Sequence, residues 1–186
     1  MSRYSTALSP LTEAAWLMAM QEHTGPEDGF AGTFKAKAKA MNLWEYARCI
    51  HEATPGNFKV AAGISVRCSK RSPNRVANLQ LLHTFHAYRR QGLGKRLVES
   101  EFQRVVDYER CEYFRVSSEE NALPFYRSLG FRFWGAQKSG TCLSIFRIVG
   151  PHIVGGDYDP NDPIIHRAVF SKARGGVVNL FEEGPC

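Results

Sequence analysis

Arg89-Arg90-Gln91-Gly92-Leu93-Gly94-Lys95-Arg96 stands where a run of strand formers gives way to a run with helical spacing. Upstream, Val76 to Phe85 carries the bulk and β-propensity of a strand, although its alternation is imperfect. Downstream, Leu93, Leu97, Val98, Phe102, Val105 and Val106 recur at the intervals of one helical face as far as Tyr108. The two glycines therefore fall at the first turn of a helix. Neither has a Cβ to hold a ligand off the backbone, so successive N–H groups and the positive end of the helix dipole can face an anion. A pyrophosphate suits such a cradle; a tight strand-to-helix turn without a ligand is the plainer reading of the same residues.

A second segment bears on that choice. Asn121-Ala122-Leu123-Pro124-Phe125-Tyr126-Arg127-Ser128-Leu129-Gly130-Phe131 predicts a short helix with Ala122, Phe125, Tyr126 and Leu129 on one face. Pro124 is tolerated in the first turn, where its missing N–H is no loss, and Gly130 supplies a left-handed cap. Between the two helices, Glu112 to Val116 reads as a strand.

Together these residues resemble the acyl-CoA-dependent N-acyltransferases of the GNAT superfamily. Arg89, Gly92 and Gly94 match the family pattern Arg/Gln-x-x-Gly-x-Gly/Ala, and Tyr126, Gly130 and Phe131 match its later Tyr-x-x-x-Gly-Phe. The order of strand, loop, helix, strand, helix and strand also agrees. Residues 58 to 148 carry the resemblance closely and residues 1 to 57 more loosely. Asn121 departs from the pattern, standing nearer to Tyr126 than the family's asparagine does.

The resemblance implies a mixed α/β (α+β) fold, with a twisted, largely antiparallel central sheet flanked by helices. It implies transfer of an acetyl or other acyl group from acyl-CoA to an amine, by direct attack on the thioester. The acyl-CoA would be held by Thr84, Arg89, Arg90, Gln91, Gly92, Leu93, Gly94, Lys95 and Asn121. A backbone N–H near Thr84 would stabilise the oxyanion. The Tyr126 hydroxyl would protonate the departing thiolate; a tyrosine of ordinary pKa, about 10, is protonated at neutral pH, and a packed core tyrosine is the alternative. An incoming ammonium must lose a proton, for which His83, His86, Glu119 and Glu120 are candidates and His83 and Glu119 are retained. Each has a plainer reading, as a packed or surface histidine or as a first-turn charge on a helix.

Length and composition point to one domain. The chain has 186 residues, 44% of them apolar and 12% aromatic, enough for a substantial core. The acyltransferase-like domain is expected over residues 1–150, with residues 151–186 as a C-terminal extension packed on it or appended to it. No stretch approaches the ~20 apolar residues of a membrane span and the N-terminus lacks a signal-peptide core, so the expectation is a cytoplasmic protein without a membrane partner. Five scattered cysteines (Cys49, Cys68, Cys111, Cys142 and Cys186) lack the close pairs of a zinc site and read as core thiols. Asp157, Asp159 and Asp162 lack the spacing of a calcium loop, and no metal is expected.

The net charge of +6 is concentrated. Arg67 to Arg96 holds eight basic residues and no acidic one, which favours an anionic ligand. Coenzyme A accounts for the half at Arg89 to Arg96. The half at Arg67, Lys70, Arg71 and Arg75 lies in a hairpin and reads either as a solvated guard of a sheet edge or as a contact to a polyanion. Nucleic acid is accordingly kept as a partner, and some phage DNA-modifying proteins resemble this family. Two alternatives follow: an enzyme acting on an amine in DNA, and a non-catalytic nucleotide- or nucleic-acid-binding module of the same fold. Oligomeric state is left open.

The remaining elements follow from local pattern. Ser9-Pro10 ahead of Leu11, Ala14, Ala15, Met18 and Ala19 predicts a capped helix reaching about His23, with Gly25 to Gly32 as a loop. Leu43 to Ala53 fits either period; a strand is preferred, because Thr54-Pro55-Gly56-Asn57 is a turn leading into a strand over Phe58 to Val66. Arg132 to Trp134 and Leu143 to Ile148 are the two closing strands.

Overall fold

The computed structural model of the chain describes residues 3–53, 58–68, 76–111, 113–136 and 142–148. Ser9 and Pro10 do not cap a helix; they form a short strand, β1 (Ser9–Pro10), antiparallel to β2 (Ala47–His51). β1 is an edge strand, where the missing N–H of Pro10 is tolerated. The cap is Thr12, whose side-chain oxygen accepts the Ala15 N–H at 3.2 Å, and α1 (Glu13–Glu22) begins there with Glu13 at the positive end of its dipole.

The stretch expected as a loop is a 3-10 turn, Pro26–Asp28, running directly into α2 (Phe30–Ala40). Ala31, Phe34 and Ala38 make the buried stripe of that helix. Two glycines, Gly29 and Gly32, lower the local helix propensity and disguise its start. Leu43 to Ala53 is divided rather than uniform: Trp44–Tyr46 is a 3-10 turn, and the preferred strand exists only as β2.

β3 (Val60–Cys68) and β4 (Val76–Thr84) follow, in the order β1-β2-β3-β4, with β2 and β3 antiparallel. Val60 to Val66 is buried without alternation, as a strand covered on both faces requires. A Cβ on Gly63 would lie 2.8 Å from both Leu11 Cδ2 and Trp16 Cζ3, so the glycine lets those side chains rest on the backbone of β3. Trp16 is wholly buried. Its Nε1 donates to Ala31 O at 3.0 Å, and its ring stacks on Phe34 at 4.2 Å and tilts against Phe85 at 4.9 Å, joining α1, α2 and the residue after β4.

α3 (Leu93–Asp107) buries Leu93, Leu97, Val98, Phe102 and Val105, the face expected from spacing, while Val106 is half-buried. β5 (Tyr113–Glu119), α4 (Leu123–Ser128), β6 (Arg132–Ala136) and β7 (Cys142–Ile148) complete the series. These strands lie in the order β5-β7-β6, both pairs antiparallel, with Val116 opposite Ile145. Gly130, at φ 79°, ends α4 in the left-handed conformation, and the Phe131 N–H returns to Tyr126 O at 3.1 Å. The architecture is mixed α/β, with helices flanking a largely antiparallel sheet.

The described residues divide into two compact units. One takes those of Met1–Arg67 and Leu79–Gln103, the other those of Cys68–Asn78 and Arg104–Cys186. The extension expected over residues 151–186 lies outside the described residues, as do residues 69–75 of the basic hairpin.

Candidate functional site

In the first unit, β4 ends at Thr84 and the chain makes a 3-10 turn, His86–Tyr88, before the glycine loop. Phe85 N–H donates to Ala61 O at 3.1 Å, anchoring the strand end to β3. Arg90 (φ 59°) and Gly92 (φ 75°) are both left-handed, and α3 opens with Arg96 N–H on Gly92 O at 3.0 Å. A Cβ placed on Gly92 would meet nothing within 4 Å. Its outer side is open, at the positive end of a 15-residue helix, with Arg90, Gln91 and Lys95 exposed beside it. Such a loop fits a pyrophosphate.

Not every polar residue of the loop faces outward. Tyr4 O–H donates to Gln91 Oε1, Gln91 Nε2 donates to Ala87 O at 3.3 Å, and the Arg96 guanidinium donates to Ser5 O. The N-terminal segment thereby fastens the loop. Arg89, the first residue of the matched pattern, donates through Nε to Thr84 O at 3.0 Å and through its terminal nitrogen to Glu27 O. It binds the loop to the Pro26–Asp28 turn.

The centre of that attachment is Asp28, which sequence reasoning missed. Its Oδ1 accepts the His86 N–H at 2.8 Å and lies 3.3 Å from His83 Nε2 and 3.5 Å from the Arg89 guanidinium. The carboxylate is only 4% exposed. Charge-assisted bonds of this kind are the means by which a buried carboxylate is tolerated. The signal within the sequence was an acidic turn, Pro26-Glu27-Asp28-Gly29, whose basic partners lie far along the chain.

His83 alternates inward with Leu79, Leu81 and Phe85. Its ring sits between Phe30 (6.0 Å, stacked), Trp16 (5.8 Å, edge-on) and Phe85 (5.0 Å, edge-on). Burial pulls its pKa down from 6.5 to about 4, against the opposing influence of Asp28, so the imidazole is neutral at pH 7. Nε2 has Asp28 nearby but not in hydrogen-bond alignment. His86 is exposed.

The second unit holds the other candidates. Tyr126 lies on α4, 6% exposed, its ring edge-on to Phe125 at 5.0 Å and Phe131 at 5.4 Å. Burial pushes its hydroxyl pKa well above the ordinary tyrosine value, so it is a proton donor throughout the neutral range. Asn121 is exposed in the 3-10 turn Glu120–Ala122, and Glu119 is the last residue of β5. The loop candidates Thr84 to Lys95 are thus gathered in one unit, and Tyr126, Asn121 and Glu119 belong to the other. Among the described residues, no group of three or more His, Cys, Asp or Glu could hold a metal ion, and no helix is long and apolar enough to cross a membrane.

Residues 58–146 match the family model of the GNAT acetyltransferase domain. No curated protein sequence matches the chain. Among solved structures, Ard1 from Thermoplasma volcanium is 14% identical with a TM-score of 0.57, covering 80% of this chain and 99% of its own. The NatC complex bound to Gag peptide and CoA is 14% identical with a TM-score of 0.56, over 79% of this chain and 99% of the other. The NatB acetyltransferase complex bound to CoA and MES is 11% identical with a TM-score of 0.58, over 77% and 99%. At such identities the likeness is one of fold. The matched segment runs from the start of β3 through the glycine loop and Tyr126 into β7, and over residues 58–146 the chain is similar to the GNAT acetyltransferase domain.

Proposed function

We propose that the protein is an acyl-CoA-dependent N-acyltransferase, with acetyl-CoA as the simplest donor and an amine as acceptor. The observation that carries the reading is the left-handed, open Gly92 at the start of α3, within the matched domain. Backbone N–H groups of Gly92 to Lys95 would receive the pyrophosphate, with Arg90 and Lys95 adding charge at its rim. Arg89 and Gln91 act indirectly, by fixing the loop to Thr84, Glu27 and Ala87.

The chemistry asks little more of the chain. A strand-end N–H near Thr84 would take the oxyanion; in the structure those of Phe85 and His86 are given to Ala61 O and Asp28 Oδ1. Tyr126, kept protonated by burial, would give its proton to the sulfur leaving group. His83 is sealed among three rings and is a poor proton acceptor at pH 7, so its part is positional.

The test is incubation of the full chain with acetyl-CoA and a panel of amines: polyamines, peptides with free N-termini, lysine peptides and amine-bearing DNA. Thiol release is followed by a chromogenic reagent, and products by mass. Release matched by an acetylated acceptor is expected. Binding of CoA by calorimetry without release on any amine would make the protein a binding module instead.

A further inference from the structure

We propose that Cys68 and Cys111 are a paired dithiol that closes to an intramolecular disulfide by exchange with a low-molecular-weight disulfide. Within the second unit their sulfurs lie 3.2 Å apart, and both are thiols. A disulfide needs about 2.05 Å and a backbone that already brings the two Cβ atoms together. The two sulfurs are already in contact, each carried by the end of a regular element. Cys68 is the last residue of β3. Cys111 is set by the end of α3, where Arg110 at φ 51° turns the chain and the Cys111 N–H closes on Val105 O at 2.8 Å.

The two sulfurs differ in a way that orders the reaction. Cys111 is 1% exposed and donates its S–H to Cys68; that bond and burial push its pKa up, so it keeps its proton. Cys68 is half-buried and receives that bond, which makes it the attacking sulfur. With glutathione disulfide as oxidant, the Cys68 thiolate attacks one sulfur, forming a mixed disulfide and expelling one glutathione thiolate. Cys111 then loses its proton and attacks the Cys68 sulfur, and the second glutathione thiolate leaves. Two electrons pass from the protein sulfurs to glutathione disulfide, and the two thiol protons end on the two glutathiones. Cys49 offers no such partner: its thiol is directed to Pro10 O, and burial pushes its pKa up to about 12.

The ring closed by this bond spans 43 positions and contains β4, the glycine loop and the whole of α3. Closing it restricts the unfolded chain. The inference stands apart from the acyltransferase reading and is tested without it. The reduced full-length protein is incubated with glutathione disulfide and mapped by non-reducing proteolysis and mass spectrometry. The expected product joins the Cys68 and Cys111 peptides at the loss of two hydrogens, with a melting temperature raised by ~5 °C or more and restored by dithiothreitol. Cys68→Ser should abolish both the link and any modification of Cys111, whereas Cys111→Ser should stop at a glutathione adduct on Cys68. A persistent glutathione adduct in the wild type, a link to Cys49, or both thiols remaining reduced in excess oxidant would each overturn the pairing.

Discussion

Asp28 Oδ1 lies 3.3 Å from His83 Nε2, and each side chain is 4% exposed. A carboxylate from the turn before α2 has thus been drawn into the end of β4, where it also takes the His86 N–H at 2.8 Å. Removing it strands the partners. Asp28→Ala should destabilise the protein by about 1–3 kcal/mol, because the part-buried His86 N–H loses its acceptor and the Arg89 guanidinium keeps only Thr84 O and Glu27 O. Asp28→Asn keeps an acceptor oxygen for His86 and should recover part of the loss. Urea unfolding of the three proteins checks the order.

His83 makes stability depend on pH. Its folded pKa, about 4, is below the unfolded value of 6.5, so between these the unfolded chain binds the proton more readily. Stability is therefore full above pH 6.5 and falls as the pH drops from 6.5 to 4, by about 3 kcal/mol at most. Denaturant midpoints across that range should show the slope, and His83→Gln should flatten it.

The glycine at position 63 should resist enlargement. An added methyl would lie 2.8 Å from Trp16 Cζ3, and Trp16 is held by its bond to Ala31 O and its stack on Phe34. Leu11 can turn away; the indole cannot. Gly63→Ala should cost about 1–3 kcal/mol of stability by overpacking, read as a lowered thermal midpoint without change of fold.

The legible parts of the fold were those with strong local periodicity. α3 announced itself through Leu93, Leu97, Val98, Phe102 and Val105, and the cap at Gly130 through the need for a left-handed backbone. α2 was hidden, because its stripe of Ala31, Phe34 and Ala38 is interrupted by glycine and lysines. Ser9-Pro10 imitated a helix cap, yet tertiary pairing with Arg48 and Cys49 drew it into a strand. Asp28 was invisible for a different reason: its partners, His83, His86 and Arg89, are brought to it only by the packing of α1 and α2 on the sheet.

Gly92 tests the cofactor loop. Valine there would have to adopt φ 75°, a strain of roughly 1–2 kcal/mol, but would touch nothing in the protein itself. The folded variant should therefore lose stability modestly and acetyl-CoA affinity by ~10-fold or more, as the branched side chain blocks approach to the backbone N–H groups. Calorimetric affinity equal to that of the wild type would detach the loop from coenzyme A.

Tyr126 tests the chemical step. Its phenol is buried between Phe125 and Phe131, and burial alone raises its pKa, so Tyr126→Phe preserves the packing and should leave the thermal midpoint nearly unchanged. If the hydroxyl protonates the leaving thiolate, its loss should lower kcat by ~10²-fold while KM for acetyl-CoA stays put. The sign of the pH effect follows from the same burial. Because the phenol remains protonated well beyond the ordinary tyrosine range, kcat should not decline through tyrosine ionisation up to pH 9, and any loss in that interval belongs to another group. Steady-state kinetics on the acceptor found by the amine panel, across pH 6 to 9 for wild type and variant, reads both quantities. Equal kcat in the two proteins would reduce Tyr126 to a packing residue of α4.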